Sequence, residues 1–252
     1  MQQSKARAAS SFFLGIALVA VLLQIASGAK HDALVFPSVS EIFKAFIHLL
    51  CTAHTYTLIG TTLLHLVVSL FFATVIGVAI GFLEGVSPFL RTLFTPLITL
   101  FRTVPFVVLV VIVMVLSPYT RVPFIVPVIA LVPLISEASY EGLARIDREF
   151  LDIYRLNGSC TPYVLCNVHL PLMAGYLKQA YINAVGTGIK LIVSAEYLVQ
   201  TKDSLGKAVN TSIYFSDYQD IYAYALIMIL LVVILSEFPL FLLKLPKRRQ
   251  IR

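Results

Sequence analysis

Residues 57–83 read TLIGTTLLHLVVSLFFATVIGVAIGFL and contain no Lys, Arg, Asp or Glu. A helix rises about 1.5 Å per residue and the hydrocarbon core of a bilayer is about 30 Å thick, so this run is long enough to cross it. Backbone amides in lipid must be satisfied within the segment, which a helix achieves and an open strand does not. Runs near 11–28, 94–116, 123–140, 172–199 and 221–243 read the same way. The expected fold is all-α and integral to the membrane, with about six transmembrane helices. Gly77, Gly81, Pro105, Pro127, Pro133, Gly186 and Gly188 fall inside these runs. Membrane helices tolerate such residues, and small ones let backbones approach, so the middle helices are expected to pack on one another.

Composition agrees. The chain has 252 residues, 59% of them hydrophobic and 13% charged, with a mean hydropathy of +0.90. Soluble domains carry about a quarter charged residues. The net charge of +6 reports topology and anionic lipid rather than nucleic acid, for which no motif is present. Cys51, Cys160 and Cys166 have neither metal-ligand nor redox spacing and are expected to be free thiols. The histidines show no metal spacing and no HExxH, so neither a metal site nor a metalloprotease is expected. No cofactor is implied. No Gly-rich phosphate loop is found either, so an ATPase, if one serves this chain, is a separate subunit.

Lys and Arg set the direction. With a cytoplasmic N-terminus, the inner segments hold Lys5, Arg7, Arg91, Arg145, Arg148, Arg155 and the tail KLPKRRQIR (244–252). The outer segments hold Lys30, Lys44, Arg121, Lys202 and Lys207. That excess inside favours cytoplasmic N- and C-termini. The first run, KAR followed by apolar residues and IASGA, also fits a cleaved secretory signal; the direction of the other spans is the same either way. The chain divides into an N-terminal transmembrane helix (1–30), an external amphipathic segment (31–54), a transmembrane core (55–243) and a basic cytoplasmic tail (244–252). In the second of these, Ser38 or Ser40 is placed to cap a short helix that carries Ile42, Phe43, Phe46 and Ile47.

Between the fourth and fifth runs lies EFLDIYRLNGSCTPYVLCNVHLP (149–171). Asp147 can cap a helix whose first turn holds Glu149, and Phe150, Ile153, Tyr154 and Asn157 share one face, flanked by Asp152 and Arg155. Asn157-Gly158 ends that helix, and Thr161-Pro162 starts another. So short a helix needs a surface to dock on, either its own membrane domain or a soluble partner.

The loop resembles the "EAA" loop of ABC importer permeases. Asp152-Ile153-Tyr154 precedes Gly158 at the family's offset, and Val168-His169-Leu170-Pro171 follows at the matching one. Asp replaces the usual Glu, and Ile-Tyr the two alanines. FPSVSEIFKAF (36–46), the span with His65 where Arg is usual and Ser69 where Gly is usual, FRTVP (101–105) and SAEYLVQTKDSLG (194–206) are similar to segments of the taurine, nitrate and alkanesulfonate group of permeases. VLSPYTRVPF (115–124) departs from the Phe-Gly turn common there. The resemblance covers about residues 36–240. It implies a type I ABC importer transmembrane domain whose cytoplasmic coupling helix, built from Glu149, Phe150, Asp152, Ile153, Tyr154, Arg155, Asn157 and Gly158, docks on a separate ATPase. It further implies a second permease copy, an extracytoplasmic binding protein and a bacterial inner membrane. The substrate class implied is a small anion, or a ring compound such as a pyrimidine precursor or riboflavin.

Arg102, Lys190 and Glu196 fall in or near spans. A charge at the bilayer centre costs on the order of 3 kcal/mol on insertion scales, so it faces a cavity or a partner. All three are candidates for the translocation path. Arg102 leads, because Pro105 three residues on marks a site for a broken helix. Glu137 is read as a structural charge near the inner face, and His65 as a packed, hydrogen-bonded histidine. The competing class is a stand-alone secondary transporter or small membrane enzyme that uses Arg102, Lys190 and Glu196 as a charge relay.

Overall fold

A computed structural model describes Val21 and residues 37–144 and 170–243. The described elements are helical, with no strand among them. Helix α1 spans Val39–Cys51, α2 Ala53–Val86, α3 Pro88–Thr103, α4 Phe106–Leu116, α5 Val122–Ala144, α6 Leu170–Val199, α7 Leu205–Tyr214 and α8 Tyr218–Leu243; a 3-10 turn at Tyr119–Arg121 precedes α5. Helices α2, α5, α6 and α8 are each apolar and long enough to cross a bilayer. The expected first run (11–28) lies outside the described residues except for Val21, and the basic tail lies wholly outside.

The expected single run 94–116 is instead two helices, α3 and α4, bent by 103°. Val104 (φ −61°, ψ 126°) and Pro105 (φ −56°, ψ 132°) are both extended. Proline lacks the N–H that would continue the ladder, and its ring pushes the preceding residue out of the helical region, so two consecutive residues leave the helix.

Helices α2 and α5 run parallel and form the centre. Gly77, Gly81 and Gly85, one turn apart on α2, meet Ile135, Ser136 with Ser139, and Leu143 on α5. A Cβ on Gly77 would sit 2.8 Å from Ile135 Cβ, and one on Gly81 would overlap the Ser136 carbonyl oxygen. The missing side chains let the backbones touch, as expected of the middle helices. Helix α6 returns antiparallel, with Gly142 of α5 against Met173, and Gly188 close to Leu66 and Leu131. Leu66, Leu70, Leu131, Ile135, Ile189 and Ile192 form the main core.

Helix α1 starts at a capping box. Ser38 N–H donates to Glu41 Oε2 (2.8 Å), and Glu41 N–H donates to Ser38 Oγ (3.4 Å). The Ser38 backbone N–H holds the Glu41 carboxyl below its usual range. Of the apolar positions expected on one face, Ile42 is buried and Phe46 packs against the cluster of Leu49, Leu58 and Ile227, whereas Phe43 and Ile47 are exposed. The helix therefore docks through a face centred on Ile42 and Leu49, leaving Phe43 and Ile47 free for lipid.

Candidate functional site

Two charged constellations stand at different depths. Near one end of the bundle Glu196 is fully buried, although the sequence placed it among the path charges. Its Oε1 lies 2.7 Å from His65 Nδ1. Its Oε2 accepts from Thr62 Oγ1 (2.9 Å) and from the Gly206 N–H (3.1 Å). The Leu205 N–H donates to Thr62 Oγ1 (3.1 Å), and the Lys207 N–H to Ser204 Oγ (3.3 Å). A helix start leaves its first amides without partners, and here three different side chains satisfy the first three of α7. The carboxyl group also sits at the N-terminal, positive end of the α7 dipole.

The local sequence explains the geometry. Thr62, His65 and Ser69 stand at i, i+3 and i+7, a polar stripe on α2; Ser69 Oγ donates to the Phe124 carbonyl (3.1 Å), and the Phe124 ring meets His65 edge-on at 4.5 Å. A Cβ on Gly206 would lie 2.5 Å from Glu196 Cβ and the Val193 carbonyl oxygen, so only glycine lets α7 press this close on α6. Gln200 (φ 53°) and Asp203 (φ 52°) make the left-handed turns that reverse the chain between them. His65 is a packed, bonded histidine, as the sequence indicated. Glu196 is a different matter: every oxygen is engaged within this chain, so the residue is a clasp between α2, α6 and α7.

The second constellation lies at the 103° break. Arg102 Nη1 is 2.6 Å from Glu137 Oε2, and the two side chains are 64% and 48% exposed. Glu137 is thus the partner that sequence reasoning missed; no spacing rule links residues on α3 and α5. Lower down, the Arg91 guanidinium lies 4.1 Å from the Tyr140 ring centroid, and Ser136 Oγ donates to the buried Glu84 (3.3 Å). Lys190 is exposed on α6 and makes no ion pair among the described residues. The structure does not bring Arg102, Lys190 and Glu196 together, which removes the geometry that a charge relay through them needs. Glu149, Phe150, Asp152, Ile153, Tyr154, Arg155, Asn157 and Gly158 lie outside the described residues.

Residues 73–252 match the family described as "Binding-protein-dependent transport system inner membrane component". The chain belongs to this family. It is a permease subunit of a binding-protein-dependent ABC importer, embedded in a membrane by its helices. Its fold is similar to two structures of the MetNI methionine ABC transporter in inward-facing conformations. For the native crystal form the TM-score is 0.62 at 22% identity, covering 71% of this chain and 88% of that one. For the SeMet-soaked form it is 0.61 at 21% identity, with the same coverage. At this identity the likeness establishes the type I importer fold of the permease and not its cargo. No curated protein matches the chain by sequence.

Proposed function

We propose that this permease pairs with a second permease copy, receives a small solute from an extracytoplasmic binding protein, and is driven by two cytoplasmic ATPase subunits. The bilayer is a bacterial inner membrane, with both termini cytoplasmic. Phe150, Ile153, Tyr154 and Asn157 form the face that docks on the ATPase, and Glu149, Asp152, Arg155 and Gly158 shape that helix. ATP-driven closure then switches the path between facings by rigid-body motion, and no residue of this chain performs chemistry on the solute. The observation that carries the reading is the family match over residues 73–252 on an all-helical bundle. The loop's spacing and the inner-side excess of Lys and Arg support its details.

Of the candidate path charges, Arg102 and Lys190 retain the role and Glu196 does not. An ion pair that stays half exposed at membrane depth needs water or a partner surface around it, which a path between two permeases supplies. An arginine at the wall suits the small anions carried by the taurine, nitrate and alkanesulfonate group, and we place the permease in that group on its segment resemblances. Arg102→Gln is expected to lower uptake at least tenfold while the protein level in the membrane stays unchanged. Normal uptake by that variant would remove Arg102 from the path.

The docking reading is tested with single cysteines at Phe150 and Tyr154, in a chain lacking Cys51, Cys160 and Cys166, in native membranes. A discrete cross-link to the ATPase subunit whose yield changes with nucleotide is expected. Modification by water-soluble thiol reagents with no ATPase captured under any nucleotide would overturn it.

A further inference from the structure

Helix α3 has no buried residue, and its surface divides into three strips. Leu90, Phe94, Ile98 and Phe101, at i, i+4, i+8 and i+11, are half-buried, with Ile98 against the main core. Phe89, Leu93, Leu97 and Leu100 repeat that spacing one residue earlier and are exposed. Arg91, Thr95, Thr99 and Arg102 repeat it one residue later and are exposed too, with Thr92 and Thr103 beside them. The second strip suits lipid and the third does not. Each threonine hydroxyl donates to the carbonyl four residues back: Thr92 to Pro88 (3.0 Å), Thr95 to Arg91 (2.6 Å), Thr99 to Thr95 (2.8 Å) and Thr103 to Thr99 (2.9 Å). None of the four bonds to another helix among the described residues, so their outward lone pairs are left for solvent. A separate feature points the same way. Pro96 has no N–H, so the ladder bond that would satisfy the Thr92 carbonyl is missing, and hydrocarbon supplies no donor to replace it. A cavity of about 550 Å³ opens against the first half of the strip, lined by Pro88, Arg91, Thr92, Thr95 and Pro96. At the two ends, Arg91 donates to the Tyr140 hydroxyl and Arg102 to Glu137, both on α5, while both arginines stay exposed.

We propose that Arg91, Thr95, Thr99 and Arg102 form one wetted wall of the translocation path, about 16 Å long, with Leu93, Leu97 and Leu100 turned to lipid. This extends the path from a single site at Arg102 along the whole of α3, and it rests on the importer reading for what crosses there. The wall has a definite hydrogen-bonding character. Because the threonine hydrogens are spent on carbonyls of α3 itself, Thr95 and Thr99 accept hydrogen bonds, and the guanidinium groups at the two ends donate them. A polar solute can exchange its water for such groups, whereas an apolar one gains nothing from them. Were the strip sealed dry against a second copy, that copy would have to bring a donor for each of these oxygens and a partner for each arginine.

The test places single cysteines in the full chain lacking Cys51, Cys160 and Cys166, in native membranes prepared as right-side-out and inside-out vesicles. The probe is a permanently charged, water-soluble methanethiosulfonate, which modifies a thiol only where water reaches it. Thr95→Cys and Thr99→Cys are expected to react at least tenfold faster than Leu93→Cys, Leu97→Cys and Leu100→Cys, from at least one side of the membrane. All five positions lie within about two turns, so a chain that had lost its fold would expose them alike and could not produce the alternation. Equal rates in the two sets would overturn the proposal, as would faster reaction at the leucines. So would silence of both sets from both sides, the signature of a strip sealed dry. Nucleotide then separates the wall from the importer reading. Rates at Thr99→Cys that change on adding ATP tie the wall to the transport cycle. The same alternation without any response to nucleotide would keep the wet wall and remove the ATP-driven importer.

Discussion

Glu196→Ala is expected to destabilise the permease by about 3–5 kcal/mol, the range seen when one member of a buried pair is removed. The deletion strands more than one partner. The Gly206 N–H loses its acceptor, Thr62 Oγ1 loses the group it donates to, and His65 is left buried beside a void. Each unsatisfied buried group carries a penalty of about 1–3 kcal/mol, and these overlap rather than add. Because α7 is only ten residues long and draws its start from this clasp, its first turn should fray before the spans melt. Thermal unfolding of the purified protein, compared with proteolysis at 200–207, reads both effects. A variant with unchanged melting temperature and no new cleavage would show that the clasp contributes nothing. Glu196→Gln keeps the shape and one acceptor oxygen, so its loss should be smaller.

Gly81→Leu should be comparably severe for the opposite reason. The new side chain would occupy the place of the Ser136 carbonyl oxygen and Ser139 Cβ, both held by the α5 backbone, so neither can swing aside. Overpacking a rigid contact costs about 1–3 kcal/mol, and more where whole helices must separate. Gly60→Leu on the same helix is the internal control, since nothing lies within 4 Å of a Cβ at that position. Both changes raise helix propensity equally. Reduced monodispersity on size exclusion after heating is therefore expected for Gly81→Leu alone. Equal behaviour of the two variants would mean that the α2–α5 contact tolerates a gap.

The spans were legible because lipid imposes one rule, a long and predominantly apolar helix, and α2, α5, α6 and α8 obey it within a few residues of their expected ends. The break at Pro105 was legible as a site but not as a 103° bend. Pro96, Pro127 and Pro133 stay inside helices, and the outcome at Pro105 is set by Val104 turning extended with it. Ser38 was readable as a cap because its partner Glu41 is three residues away. Glu196 was not readable in the same way. A charge that faces a path and a charge locked in a clasp are the same letter in the sequence, and the partners Thr62 and His65 lie 134 and 131 positions distant. The stripe of Thr62, His65 and Ser69 was the available signal, since an apolar span has no reason to align three polar residues unless another helix answers them. Arg102 and Glu137, 35 residues apart on two helices, gave no comparable hint.

Helix α2 has 34 residues, so its axis is about 51 Å long against a hydrocarbon slab of about 30 Å. Even at about 40°, the steep limit of observed tilts, it would traverse roughly 39 Å along the membrane normal, leaving roughly 9 Å that lipid tails cannot cover. The N-terminal turns carry His54, Tyr56, Thr57 and Thr61, whereas the opposite end stays apolar through Leu83 apart from Glu84. The overhang therefore belongs to the N-terminal end, in the headgroup layer. That lifts His54 and Tyr56 clear of the acyl chains, so the first turns of α2 meet headgroups and water where the rest of the helix meets hydrocarbon or protein.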